Sequence, residues 1–272
     1  MPPFLAYDDK NPGSSTRTPL VLVHGHPFDR TMWAPQIAAF SAGRRVIAPD
    51  LRGYGASPVT SGTVPLSRHA RDIEELLDFL EVDTFVLAGL SMGGQIAMEC
   101  YARLGDRVRG LVLADTFPDP ETPEGRKGRT ALAARLLAEG MHGYADEVLE
   151  RMVAPYADPQ VKAHVHRMMT ATSPEGAAAA LRGRAERPDY RPLLARVTVP
   201  ALVVVGADDT FTPVADAEAM HALLPDSALH VSKGAAHMPN LERPEEFNEV
   251  LGCFLARIDG APIPPTAPDS RA

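Results

Sequence analysis

Short apolar runs alternate along this chain with longer stretches in which apolar residues recur every three or four positions. The runs "PLVLVHG" (19–25), "RRVIAPD" (44–50), "TFVLAG" (84–89), "RGLVLAD" (109–115), "ALVVVG" (201–206) and "ALHVSKG" (228–234) predict β-strands. Several are nearly continuous Val, Leu and Ile, the pattern of strands buried on both faces. They predict a mostly parallel sheet flanked by helices, an α/β fold. Between them, "SRHARDIEELLDFLEV" (67–82) places Ile73, Leu76, Leu77 and Leu80 on one helical face, with Ser67 as its N-cap. The segment 92–105 predicts a helix running directly on from the third strand. Residues 243–258 repeat Phe247, Val250, Leu251 and Phe254 at helical spacing and predict a closing amphipathic helix.

The alternation stops at residue 117 and resumes near 198. Alanine- and methionine-rich helical segments fill the gap, punctuated by Pro118, Pro120 and Pro123 at its start and by Pro188, Pro192 and Pro200 at its end. The organisation expected is a core in two parts, 1–117 and 198–259, with a helical cap inserted at 118–197. The stretch 260–272 is rich in Pro, Ala and polar residues and is expected to be disordered.

Composition narrows the function classes. The 272 residues suit one large α/β domain carrying an insertion, and 45% hydrophobic residues supply a sizeable core. A net charge of −8, spread along the chain, argues against nucleic acid as a partner. No apolar run is long enough for a membrane span, and the first residues lack a signal-peptide pattern, so a cytoplasmic protein without a membrane partner is expected. Cys100 and Cys253 do not make a disulfide framework, and Cys100 reads as a reduced core thiol. The pattern carries no mark of an oligomeric state.

The candidate chemistry starts at "VLAGLSMGGQIAMEC", where Gly89-Leu90-Ser91-Met92-Gly93 joins a strand to a helix. G-x-S-x-G in that context is the nucleophile elbow, a sharp turn that exposes a serine hydroxyl above a parallel sheet. A nucleophilic serine needs a base, an orienting acid and donors for a developing oxyanion. His237, in the loop after the last strand, is the candidate base. Asp209, just past the fifth run, is the candidate acid, with Asp208 beside it and Asp115 on the neighbouring strand as rivals. The amides of His26 and Met92 are the candidate oxyanion donors, the second at a helix N-terminus. His164 and His166 do not share a helical face and belong to no metal-ligand cluster, so neither a metal nor another cofactor is expected. For substrate contact the candidates are Phe28, Trp33 and Phe117 near strand ends, and Met141, Met152, Met168 and Met169 in the cap. With no cluster of Arg or Lys in the sequence, the expected ligand is small and mainly apolar.

Five segments in order, "HGHPFDRTMW", "APDLRGYGAS", "GLSMGGQIA", "GADDTFTP" and "AAHMPNLERPEEF", resemble the α/β-hydrolase superfamily in its cap-bearing esterase and lactonase branch. "GLSMGG" and "AAHMPNLERPEEF" are similar in particular to 3-oxoadipate enol-lactonase-like members and related carboxylesterases. The resemblance implies an eight-stranded, mostly parallel sheet and the triad Ser91, Asp209 and His237. It also implies an oxyanion hole from His26 and Met92, and an ester or lactone as the small-molecule substrate. Asp50 and Arg52 would be framework residues. Serine at 91 argues against haloalkane dehalogenases, which carry aspartate there, and Leu90 and Met238 weaken a carbon–carbon bond hydrolase reading. A cofactor-free haloperoxidase-like activity shares the same triad. A slow-turnover ligand receptor would also retain it.

Overall fold

The computed structural model of the protein describes residues 4–13 and 15–261. The disorder expected over 260–272 therefore lies, from residue 262 on, outside the described residues. Among the described residues seven strands form one sheet: β1 (Tyr7–Lys10), β2 (Leu20–Val23), β3 (Val46–Pro49), β4 (Phe85–Leu90), β5 (Val108–Ala114), β6 (Ala201–Gly206) and β7 (Ser227–Ser232). Their order is β1-β3-β2-β4-β5-β6-β7, parallel throughout except that β1 pairs antiparallel with β3. The eighth strand implied by the family resemblance does not occur among the described residues, where only residues 4–6 precede β1. Strand β1 itself, "YDDK", lacks an apolar signal because it is a polar edge strand. It is pinned by its ladder to β3 and by the Asp9–Arg45 pair at 2.7 Å.

Strand side chains alternate between two cores. Val21, Val23, Leu87, Leu111, Leu113, Val203 and Val205 pack against α2 (Leu66–Phe79), α3 (Met92–Leu104) and α9 (Val214–Leu223). Leu20, Leu22, Val86, Ala88, Val112, Leu202 and Val204 join the other core with α11 (Pro244–Ile258). Both faces are thus dry, which is why these strands read as continuous apolar runs. Helix α2 begins one residue before Ser67, after an extended Pro65, so Ser67 is not its cap. Ile73, Leu76 and Leu77 are buried on it as spaced, with Leu80 partly buried beyond its end.

Five helices stand between β5 and β6: α4 (Pro123–Glu139), α5 (His142–Met152), α6 (Pro159–Ala171), α7 (Pro174–Arg184) and the short α8 (Arg191–Leu194). Thr122, Asp158 and Ser173 cap α4, α6 and α7 through side-chain oxygens. Their apolar residues merge with the sheet's cores rather than forming a separate one, those of α4, α5 and α6 with one and Ala180 of α7 and Leu194 of α8 with the other. Helix α1 (Ala34–Phe40) and α10 (Pro239–Glu242) complete the set. No helix among the described residues is long and apolar enough to cross a membrane.

The turn after β2 and the loop after β3 are joined by polar groups sealed under the sheet's edge. The His24 ring donates from Nδ1 to the Gly25 carbonyl (2.8 Å) and accepts at Nε2 from the Leu51 amide (2.9 Å). Asp50 accepts the amides of Arg30 and Ala56, both at 2.8 Å, and Arg52 forks onto Asp72 at 2.6 and 2.7 Å. These contacts make Asp50 and Arg52 framework residues.

His69, inside α2, has neither ring nitrogen hydrogen-bonded among the described residues, and burial lowers its pKa to about 3. In the unfolded chain the ring takes up a proton near its ordinary value of about 6.5, so between those limits the unfolded state binds more protons. Stability is therefore lost as pH falls through that window. The His69→Leu variant, which removes the titration without orphaning a partner, should lose less stability between about pH 7 and about pH 4 than wild type in urea unfolding. Equal losses in the two proteins would refute this role.

Candidate active site

The site grows from the place where the sheet's strand order reverses. Chain leaves β2 toward β3 on one side and returns to β4 on the other, so the carboxyl ends of β2 and β4 flank a crevice. Ser91 stands at the tip of the turn between β4 and α3, with φ 58° and ψ −117°. A residue with a side chain adopts such angles at a cost of about 1–3 kcal/mol. Two glycines make the turn sterically feasible. A Cβ on Gly89 would collide with the Gly93 carbonyl, and one on Gly93 with the Val23 carbonyl. The turn is fastened by the Ser91 amide to Ala114 O (2.9 Å) and by Thr116 Oγ1 to Ser91 O (2.8 Å).

Across the crevice, the turn at Gly25 approaches so closely that a Cβ there would lie 3.2 Å from Ser91 Cβ. His26 follows it. Downstream of Ser91, the amides of Gly94 and Gln95 donate to Ser91 O at 3.0 and 3.2 Å. Met92, the first residue of α3, presents its amide at the positive end of the helix dipole.

His237 and Asp209 meet from the loops after β7 and β6. The His237 ring donates from Nδ1 to Asp209 Oδ2 at 2.7 Å, which leaves Nε2 as the unprotonated nitrogen. Asp209 accepts further bonds at Oδ1 from the amides of Phe211 (2.7 Å) and Thr212 (3.2 Å), and at Oδ2 from the Thr212 hydroxyl. Burial by itself would raise the Asp209 pKa. The charge and bond of His237, with the Thr212 and Phe211 donors, outweigh it and hold the carboxyl below its ordinary value. Phe211 packs beside the His237 ring at 5.2 Å and carries the Arg151 guanidinium over its outer face at 4.0 Å.

The rival acids are sorted by position. Asp208 is exposed and accepts from the Tyr156 hydroxyl. Asp115 is buried at φ 45°, accepts the Gly206 amide at 2.9 Å, and leaves Oδ2 without a hydrogen bond among the described residues. Burial, then the neighbouring Asp209 charge, push its pKa well up, so the pair divides into one carboxylate and one carboxylic acid. Asp115, Asp209 and His237 each offer a ligand atom within 4.8 Å of the others. The 2.7 Å His237–Asp209 contact is a direct hydrogen bond, however, and leaves no room for a cation between those two atoms. His164 and His166 point to different partners, Thr31 O at 3.3 Å and Asp146 at 2.8 Å.

Ser91, His26 and His237 open onto one cavity of about 250 Å³. Of the proposed substrate contacts, Phe117 and Met152 line it. Phe28, Trp33, Met141 and Met168 do not. They belong to the packed core, where Trp33 lies 6.1 Å from the Phe247 ring, because a large apolar side chain at a strand end buries more surface against the helices than in a cavity wall. Met169 is in the same core. The cavity also has residues that sequence spacing did not reveal: Phe211, Tyr144, Arg129 and Arg184. The two arginines, far apart in sequence, stand among the apolar lining of Phe117, Leu132, Met152, Leu181 and Phe211. Glu242, equally unforeseen, accepts the amides of Ala236 (3.0 Å), Met238 (3.2 Å) and Ala154 (2.7 Å) and so ties the His237 loop to the inserted helices. A larger recess of about 410 Å³ between α1 and α11 contains the Arg44–Asp259 ion pair at 2.7 Å and no nucleophile beside a base.

Residues 20–250 match the model of the alpha/beta hydrolase family, and the chain belongs to that family. It is a hydrolase. A solved esterase from Thermogutta terrifontis, with malate bound, is 37% identical with a TM-score of 0.90 over 94% of each chain. An enol-lactonase structure from Burkholderia xenovorans is 30% identical with a TM-score of 0.85, over 93% of this chain and 96% of the other. A 3-oxoadipate enol-lactonase of Acinetobacter baylyi is 28% identical over 91% of this chain and 92% of its own length.

Asparagine at 115 would copy the neutral acid, tolerate the positive φ and still accept the Gly206 amide. Asp115→Asn is expected to melt close to wild type. Asp115→Ala, which leaves that buried amide unpaired, should cost about 1–3 kcal/mol. Thermal or urea unfolding of the two variants checks this, and equal destabilisation would contradict it.

Proposed function

We propose that the protein is a serine hydrolase that cleaves a small carboxylic ester or lactone through Ser91, His237 and Asp209. The observation that carries this reading is the buried 2.7 Å bond from His237 Nδ1 to Asp209 Oδ2, on the same cavity as a serine held at φ 58°. Further support comes from the esterase and enol-lactonase relatives.

In the proposed cycle, Ser91 Oγ attacks the carbonyl carbon while His237 Nε2 takes the hydroxyl proton. Asp209, kept ionised by its donors, stabilises the imidazolium. The amides of His26 and Met92, which flank Ser91, receive the negative oxygen as it develops in this reading. Collapse of the tetrahedral intermediate breaks the bond to the alkoxy oxygen, which leaves with the proton from His237. Water then repeats the sequence on the acyl-enzyme. It gives a proton to His237, adds its oxygen to the carbonyl carbon and releases the acid, with Ser91 reprotonated. In a lactone the two fragments remain one molecule.

The helices between β5 and β6 act in this reading as a cap, residues 118–197, which closes the cavity and sets its size. The Glu242 clamp to Ala154 holds that cap in register with the histidine loop. A cavity of about 250 Å³ restricts the substrate to small molecules. A cytoplasmic setting belongs to the same proposal.

Proton release on a panel of short esters and lactones tests it. The Ser91→Ala variant should lose about 10⁵- to 10⁶-fold in turnover, or roughly 7–8 kcal/mol of transition-state stabilisation. Asp209→Asn should lose about 10⁴-fold, since the imidazole then lacks its charge partner. A Ser91→Ala protein that hydrolyses at wild-type rates would refute the assignment.

A further inference from the structure

A buried ring nitrogen left without a hydrogen bond is costly, unless a bound molecule supplies the missing partner. His26 holds such a nitrogen. Its backbone amide belongs to the proposed oxyanion hole, but its side chain has no part in the proposed cycle. The residue is only 5% exposed and lines the cavity onto which Ser91 opens. Its Nδ1 lies 2.8 Å from the Tyr54 hydroxyl, and its Nε2 has no hydrogen bond among the described residues.

The count of donors and acceptors fixes which nitrogen carries the hydrogen. Tyr54 is itself buried, and burial pushes its pKa up, so the hydroxyl keeps its proton. His26 Nδ1 is the partner of that hydroxyl. A hydrogen on Nδ1 would strand two groups, the Tyr54 O–H and the Nε2 lone pair. With Tyr54 donating to Nδ1, only Nε2–H is stranded, and that tautomer is the stable one. Burial, then Arg184 and Arg129, hold the ring's pKa well below its ordinary value. The ring is therefore a neutral donor whose acceptor nitrogen is already occupied.

Its neighbours show which part of a substrate it meets. Nδ1 is turned to the loop after β3, so the far edge, with Nε2–H, is left for the cavity. The ring lies 6.4 Å from the Tyr144 ring, and its foremost charged neighbours are Arg184 and Arg129. Asp209 and Phe211 gather instead around His237. In the proposed cycle the alkoxide departs beside His237, which leaves the His26 ring with the acyl half. The carbonyl oxygen rests on the amide of the same residue, so the first atoms of the acyl chain lie within a side-chain length of Nε2.

We propose that His26 Nε2–H, with Tyr54 as its positioning residue, is a specificity-determining donor to an acyl-chain oxygen close to the scissile carbonyl. The favoured acyl group carries a neutral ether, hydroxyl or carbonyl oxygen on its α or β carbon. The inference rests on the hydrolase reading for its reaction but not for its binding. Such a donor discriminates against an isostere that lacks the acceptor, because the N–H then stays buried and unpaired.

The test pairs ethyl methoxyacetate with ethyl butyrate, which differ by an ether oxygen in place of a methylene, and reads kcat/KM by proton release. The ether oxygen also changes intrinsic reactivity, so the ratio of the two esters in each variant is set against the wild-type ratio. His26→Phe should lower that ratio about tenfold or more. His26→Gln, whose amide can place an N–H near the position of Nε2, should keep part of it. Tyr54→Phe, which frees the ring to exchange tautomers, should fall between wild type and His26→Phe. Binding is read without turnover by imidazole nitrogen NMR, with methoxyacetone and pentan-2-one as ligands. Wild type is expected to show the hydrogen on Nε2 and to bind methoxyacetone the more tightly. That result in a protein that hydrolyses neither ester would retain the donor and refute the hydrolase reading. An unchanged ester ratio in His26→Phe, with hydrolysis intact, would overturn the donor and leave the hydrolase reading standing. A hydrogen found on Nδ1 would overturn it as well. Should His26→Phe fail to fold, the wild-type tautomer and ketone titration decide alone, and equal affinity for the two ketones would overturn the proposal.

Discussion

The turn at Ser91 depends on a backbone approach that no side chain could share. Gly93 lies against the Val23 carbonyl and Gly89 against Gly93, so β2, β4 and the start of α3 are drawn together at one point. That closeness supports a serine at φ 58°, which isolated from the fold would relax. Other features of the site are placed with respect to it. The Gly25 turn rests on Ser91 Cβ, which puts His26 beside the serine, and the dipole of α3 begins at Met92. Those backbone contacts, buried between the sheet and α3, are what make the strain sustainable.

The second constraint is electrostatic. Four ionisable groups, Asp115, Asp209, His237 and Glu242, are buried or largely buried at the ends of β5, β6 and β7 and in α10, and only a division of labour among them is affordable. Asp209 takes the charge and is surrounded by donors, and Asp115 keeps its proton. Glu242 is pushed up by burial although three amides point at it. His237 is oriented from both sides, through Nδ1 by Asp209 and through its loop by Glu242. This arrangement fixes a tautomer with a bare Nε2, the form a general base requires.

The inserted helices add what the sheet lacks. Strand ends in such folds supply chemistry, whereas the walls that select a ligand come from connecting segments. Here the inserted segment brings Arg129, Arg184, Tyr144 and Met152 over Ser91, and Gln95 of the core holds Arg184 in turn. Glu121, within the same insertion, pairs with Arg129 and stands 3.4 Å from Arg187, so part of this wall's charge is balanced inside the insertion and part is held by the core.

What this sequence determined by itself was whatever repeats over a short span. Six strand runs, the helical faces of α2 and α11 and the elbow at Ser91 are local patterns of apolar spacing and small residues, and neighbours in the chain decide them. The candidates Asp209 and His237 were legible because each follows a strand directly, so their location at the sheet's carboxyl edge follows from the α/β pattern. Only the tertiary structure decided which of Asp115, Asp208 and Asp209 faces His237, since a turn of a few residues sends adjacent carboxylates to opposite sides. It also decided that Phe28 and Trp33 belong to the core, that the polar strand Tyr7–Lys10 joins the sheet edge, and that Arg129 and Arg184 converge. Those outcomes depend on burial against residues distant in the chain and on charges balanced through space, quantities with no period along the sequence.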